Sequence, residues 1–402
     1  MTLPTAVPAE IRLALLCART ELSVADGEAI DALLGGEIDW EAFSVFVDRH
    51  YLAALVNVHF RSRAAHVPAE YVEGLRSYGR RLALVNLGQV NELLRIVRLL
   101  EGQNVPVVPF KGPMLGATVY GNPALRRFGD LDVLVHRADL ERARDAVAEA
   151  GYAPYRQMTP ENEQAFFRTG MGFEMVRHDQ RAIVELHWTF LNRAHSFRLD
   201  PEAVWARTRF IEVGGERVRS FAPEDLLIYL CAHGSKSLWE RLIWACDVAE
   251  LLRRTPALRW DDVLGTARTI HAERMLFTGL ALANQWLGAP LPPDLEARLR
   301  ADGAVRALVA QVARHTLVLD GHPLSEDEKI GFHLHMRDRL FDRLPYYGHL
   351  IRIKGQPNAK DRAFVRLPKP LAFLYPIIKP IRLLRTLLDR RAALRQAMEK
   401  RR

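Results

Sequence analysis

The run from Val105 to Val135 constrains this 402-residue chain more than any other. It reads as a strand, a turn at Lys111-Gly112, a short helix, and a second apolar strand, Leu131 to Val135, opened by Asp130 and Asp132. Side chains alternate across a strand, so Asp130 and Asp132 fall on one face while Leu131 and Val133 fall on the other. Two carboxylates on one face can hold a divalent cation. Mg²⁺ takes oxygen ligands and is usually bound by one or two carboxylates plus substrate phosphates. The pair therefore points to phosphate chemistry. A solvated strand end would also account for two acids, but not for the turn before them.

The order of these features resembles a known family. A strand, Lys111-Gly112, a helix, Tyr120, Arg126, Gly129-Asp130-Leu131-Asp132, an apolar strand and a helix running to Gly151-Tyr152 are similar to the DNA polymerase β-like nucleotidyltransferase superfamily. Within it, the chain resembles the bacterial group of uncharacterised nucleotidyltransferases. The likeness continues through Val184-Glu185-Leu186-His187-Trp188 and from His233 to Asp247. It implies an α+β fold, with a small mixed-sheet nucleotidyltransferase core embedded between mainly α-helical regions.

The resemblance also implies roles. Where the superfamily opens its helix with Gly-Ser, this chain has Lys111-Gly112. Gly112 can let backbone amides approach a phosphate, and Lys111 can add a point charge to a triphosphate or snorkel at the strand end. A third carboxylate is expected on a neighbouring strand, and Glu185 fits by position. Ala182 to Trp188 alternates as a strand, with Ile183, Glu185 and His187 on one face. A glutamate buried there unpaired would be costly, and a metal partner accounts for it. His187 either touches the nucleotide or hydrogen-bonds in the core. Arg126 takes the family position for a basic residue near the phosphates, with Arg127 its competitor. His233 and Lys236 either contact the nucleotide or belong to helix packing, Lys236 then pairing with Asp247.

The implied reaction is attack of an acceptor oxygen or nitrogen on the α-phosphate of an NTP, ATP foremost, releasing pyrophosphate. Two Mg²⁺ ions, or Mn²⁺, on Asp130, Asp132 and Glu185 would stabilise the entering and leaving oxygens. The acceptor is a small molecule, a peptide or a protein in the tailoring of a peptide or polysaccharide product. The same carboxylates suit γ-phosphoryl transfer by a kinase, and a regulatory protein on this scaffold is the non-catalytic alternative.

Composition fits a globular chain of several parts: 49% of residues are hydrophobic and 26% charged. Pattern divides it into a helical region (1–100), the α/β core (101–222), a helical domain (223–345) and a basic tail (346–402). The core is expected to end in a β-hairpin near Phe210 to Ser220, turned at Gly214-Gly215. The tail carries 15 Lys and Arg against 3 Asp and Glu, so the net charge of +8 is local to it and does not mark the core for nucleic acid. Its apolar, basic stretch from Leu371 to Asp389 packs on the fold, makes peripheral contact with an anionic membrane surface, or grips an acidic peptide or nucleic acid. Three cysteines without metal spacing, and no signal peptide at Met1 to Thr20, place the chain in the cytoplasm or at the inner membrane surface.

Overall fold

The computed structural model describes residues 7–355 and 364–368, with positions 371, 374–375, 378 and 381–382. Contacts divide the chain into two units, Met1–Asp338 and Arg339–Arg402. The first begins with five helices: α1 (Ala9–Cys17), α2 (Val24–Leu34), α3 (Trp40–Arg49), α4 (Ala53–Phe60) and α5 (Ala69–Gly102). An α/β segment follows: β1 (Val107–Pro109), α6 (Pro113–Thr118), β2 (Leu131–Val135), α7 (Leu140–Glu149), β3 (Tyr152–Pro154), α8 (Pro160–Thr169), β4 (Gly172–Arg177), β5 (Ile183–His187), α9 (Pro201–Ala206), β6 (Arg209–Val213) and β7 (Glu216–Ser220). Helices return as α10 (Pro223–Lys236), α11 (Leu242–Arg254), α12 (Trp260–Thr269), α13 (Glu273–Leu287), α14 (Pro293–Ala301), α15 (Gly303–Thr316) and α16 (Glu326–His335). The second unit contains α17 (Leu344–Gly355). The Leu371 to Asp389 stretch lies largely outside the described residues. No helix among the described residues is long and apolar enough to cross a membrane.

The fold is α+β. Its five-stranded sheet has the order β1-β2-β5-β4-β3, with β2 and β5 parallel and the other neighbours antiparallel. All five residues of β2 are buried, as expected of a strand covered on both faces. The hairpin β6–β7 turns at Gly214 and Gly215, both with positive φ (59° and 81°), which suits a two-residue hairpin loop.

Helix α5, 34 residues long, braces the sheet. Its buried stripe runs through Leu82, Asn86, Val90, Leu93, Val97 and Leu100, steps of three and four that keep one face inward. Leu84, Val85 and Leu87, which prolong the apolar pattern in the sequence, are exposed because they fall on the other side of the helix. The polar members of the inner face are anchors. Asn86 Nδ2 donates to the carbonyls of Pro123 (2.6 Å) and Arg126 (2.9 Å), and Gln89 Nε2 donates to that of Arg181 (2.9 Å). Both loops that lead into the carboxylate-bearing strands are thus tied to one rigid helix. Helix starts are capped by side chains: Asp39 accepts from Ala42 N–H (2.9 Å), and Ser23 caps α2 while Asp26, at the third helical position, completes a capping box.

The uncharged run after Met275 forms most of the buried helix α13 and ends at Gly288 in the left-handed region, as a globular helix does. Cys17, Cys231 and Cys246 are free and buried.

Candidate active site

Asp132 and Glu185 are register partners on the parallel strands β2 and β5. The alternation expected of β5 puts His187 on the same face as Glu185, and its Nε2 lies 2.9 Å from Asp132 Oδ1 and 3.2 Å from Glu185 Oε2. One ligand atom from each of Asp132, Glu185 and His187 lies within 4.8 Å of the others. Phe110 meets the imidazole edge to face, with ring centroids 5.1 Å apart, and holds its orientation. Room for the Glu185 carboxylate comes from Gly172, opposite His187 on β4: a Cβ there would stand 2.3 Å from Glu185 Oε1.

Electrostatics bind these groups together. Burial alone would raise the carboxyl pKa of Asp132, but Lys111 and His187 outweigh it and hold the group well below its usual range. Burial likewise disfavours the charged His187 ring, yet Glu185 and Asp132 push it up to about 9. His187 in turn lowers Glu185 against the effect of burial. Asp130 behaves differently: the charge of Asp132, and then burial, raise it to about 6. It lines the cavity and couples to Asp132, but stands outside the compact group.

The sequence assigned Lys111 to phosphate or to a strand end. Its ammonium in fact forms an ion pair with Asp132 Oδ1, beside the rings of Phe110 and Tyr229. A buried ammonium needs a counter-ion, and this one keeps the lysine charged despite desolvation. Gly112 follows with φ +48°, and a Cβ there would stand 2.7 Å from the carbonyl oxygen of Asp130. Glycine is thus demanded twice, by conformation and by the close approach of β2.

Arg126 lines the cavity but is clamped. Its Nε and Nη2 donate to Asp247 Oδ1 (2.7 Å) and Oδ2 (2.8 Å), and Tyr120 donates to the same carboxylate at 2.8 Å. Asp247 therefore pairs with Arg126 and Tyr120, not with Lys236. His233 lines the cavity, packed edge to face on Trp244, and burial with nearby Lys111 keeps its ring neutral. Lys236 is half-buried outside that lining.

These residues border a cavity of about 730 Å³. Its lining carries the acids Asp130, Asp132, Glu174 and Glu185 together with Lys111, Arg126, Arg127, Arg156 and Arg241. Tyr51 is sandwiched between Arg127 and Arg241, whose guanidinium carbons lie 4.4 and 4.1 Å from its ring centroid. Tyr51, Arg156 and Glu174 escape a sequence reading because they come from a distant helix end or from a loop and a strand with no phosphate-binding pattern. Arg241 and Trp244 belong to the stretch from His233 to Asp247 that carries the family likeness in the sequence, and both line the cavity.

A parallel strand pair presenting two acids to a cavity that also carries a lysine and four arginines, on a mixed sheet flanked by helices, defines a transferase of phosphorus-containing groups. The chain belongs to the uncharacterised nucleotidyltransferase family, whose pattern matches residues 36–288. Among solved structures, an antigenic nucleotidyltransferase-like protein from Paracoccidioides brasiliensis is similar at 15% identity, with a TM-score of 0.27, covering 55% of this chain and 93% of its own. No protein of curated function matches.

Proposed function

We propose that the chain moves a nucleoside monophosphate from an NTP, ATP foremost, to a small-molecule, peptide or protein acceptor, in the biosynthesis or tailoring of a peptide or polysaccharide product. The observation that carries this reading is the Asp132–Glu185 register pair facing a cavity whose lining also carries Lys111 and four arginines. The cavity is of the size that ligand sites occupy, roughly 300–1,000 Å³.

A divalent cation fits the donor set. Asp132 Oδ2 and His187 Nδ1 are buried without a hydrogen-bond partner, and the carboxylates offer the oxygen donors that Mg²⁺ and Mn²⁺ prefer. Asp132 and Glu185 would hold one ion, with the His187 ring joining them once its proton is displaced by the cation, and Asp130 beside them would serve a second. When bound, the cation neutralises charge on the transferring phosphoryl group. The remaining work falls to the chain. Arg127, Arg156 and Arg241 attract the triphosphate, and Arg126 keeps its fixed position through Asp247. Lys111 offsets the acids, and Gly112 allows the backbone to approach the phosphates. In the reaction the acceptor oxygen or nitrogen bonds to the α-phosphorus, the bond to pyrophosphate breaks, and the acceptor proton passes to a carboxylate of the site.

Purified protein with Mg²⁺ or Mn²⁺, each NTP and a metabolite and peptide extract should yield an acceptor heavier by a nucleoside monophosphate, absent with Asp132→Ala. A gain of phosphate alone would make the protein a kinase. Absence of both products, together with no metal-dependent nucleotide binding, would refute transfer.

A further inference from the structure

A second, smaller chamber of about 220 Å³ adjoins the main cavity. The two share Tyr155, Arg156, Glu174 and Glu185 in their linings, so Glu185 borders both. The walls differ in chemistry. The rest of the main cavity's lining is largely charged, whereas Met158, Phe166, Met171 and Phe173 give the chamber apolar walls beside the shared Arg156. These walls are held in place. Phe166 packs on Phe173 and Trp188, with ring centroids 6.3 and 6.4 Å apart, and the Met171 carbonyl accepts from Trp188 N–H at 3.3 Å.

At the junction, Glu174 stands directly opposite Glu185 on the antiparallel strands β4 and β5. Like charges directly opposite each other in a sheet are destabilising; His187 offsets Glu185, while Glu174 is solvent-exposed where the two linings meet. Glu174 makes no ion pair with any described residue, unlike Asp132 and Glu185. The chamber is smaller than the roughly 300 Å³ at which whole-ligand pockets begin, so it takes one compact apolar group, not a nucleotide.

We propose that this chamber is the acceptor subsite, and that the acceptor is an amine carrying one compact apolar group. The apolar group enters between Phe166 and Met171, and the ammonium settles at the exposed carboxylate of Glu174. The role as acceptor rests on the nucleotidyl-transfer reading; the binding chemistry does not.

The test uses benzylamine and phenethylamine as probes on the full chain, with binding followed by saturation-transfer NMR. Both should bind. Met171→Trp, which fills the chamber, should weaken binding at least tenfold, while the thermal upshift given by ATP with Mg²⁺ stays at its wild-type value. Glu174→Gln should weaken the amines but not toluene. Retention of wild-type amine binding by both variants would overturn the proposal. Should Met171→Trp fail to fold, Phe166→Ala decides. By enlarging the chamber it should shift preference toward 4-phenylbutylamine, and an unchanged ranking overturns the assignment. Amine binding without any response to ATP would sink nucleotidyl transfer and leave the chamber standing. Nucleotidyl transfer unaffected by any chamber variant, with no amine binding, would do the reverse.

Discussion

Asp132 and Glu185 face each other across two parallel strands, and His187, two residues beyond Glu185, reaches both carboxylates with one nitrogen. This juxtaposition joins residues more than fifty positions apart. Such a cluster is stable only with cations among its acids, and here Lys111 and His187 supply them.

Replacing Asp132 with Asn keeps its shape but removes the charge that organises the cluster. Turnover measured by product mass should fall by about 10³-fold or more, the scale of losing a major electrostatic contact in a reacting site. Glu185→Gln should do the same. Addition of Mg²⁺ or Mn²⁺ should raise the melting temperature of the wild type and leave that of both variants unmoved.

Gly172→Ala places a methyl group 2.3 Å from Glu185 Oε1 and 3.0 Å from His187 Cε1. The side chains must turn away, at a cost of about 1–3 kcal/mol typical of overpacking. The expected result is a folded protein that has lost most of its turnover, measured by circular dichroism beside the product assay. Full activity in this variant would show that Glu185 is not needed where it stands.

Asp247 is almost fully buried and accepts from both Arg126 and Tyr120. Asp247→Ala strands the Arg126 charge and should destabilise the chain by about 3–5 kcal/mol in urea unfolding. Arg126→Lys, with Asp247 kept, should also destabilise the chain, because an ammonium cannot make the two parallel bonds of the guanidinium.

His50, which is not part of the acidic cluster, gives its own pH dependence. Its Nδ1 accepts from Leu242 N–H at 3.1 Å, at the start of α11, and the residue is fully buried. Burial first, and then the adjacent Arg49 charge, lower its pKa from 6.5 to about 3. The unfolded state therefore binds the extra proton between pH 6.5 and 3. Stability from the neutral ring is fully present above pH 6.5 and is lost as pH falls toward 3, reaching on the order of 2 kcal/mol by pH 5. His50→Asn keeps an acceptor for Leu242 and does not titrate. Urea midpoints at pH 7 and pH 5 should differ less in this variant than in the wild type.

The strand character of Leu131–Val135 and Ala182–Trp188, the Gly214-Gly215 hairpin and the family were legible because each depends on local periodicity or on residues close in sequence. The exposure of Leu84, Val85 and Leu87 was not, since an apolar count along a helix does not say which face meets the sheet. The Lys236–Asp247 alternative failed for a related reason. Charge type suggests a pair, but Arg126 and Tyr120 reach that carboxylate first through the approach of α11 to the loop before β2.

Sequence by itself determined the donors: acids at 130, 132 and 185, an imidazole at 187, and a glycine at 112 that lets the chain bend at φ +48°. Tertiary structure decided which of them meet. Parallel pairing of β2 with β5 set Asp132 beside Glu185, drew His187 into the cluster in preference to Asp130, and turned Lys111 onto Asp132. It also recruited Tyr51, Arg156 and Arg241 to the cavity. The physical reason is that strand register and burial fix distances between remote residues, and Coulomb energy in a desolvated site depends on those distances and not on spacing along the chain.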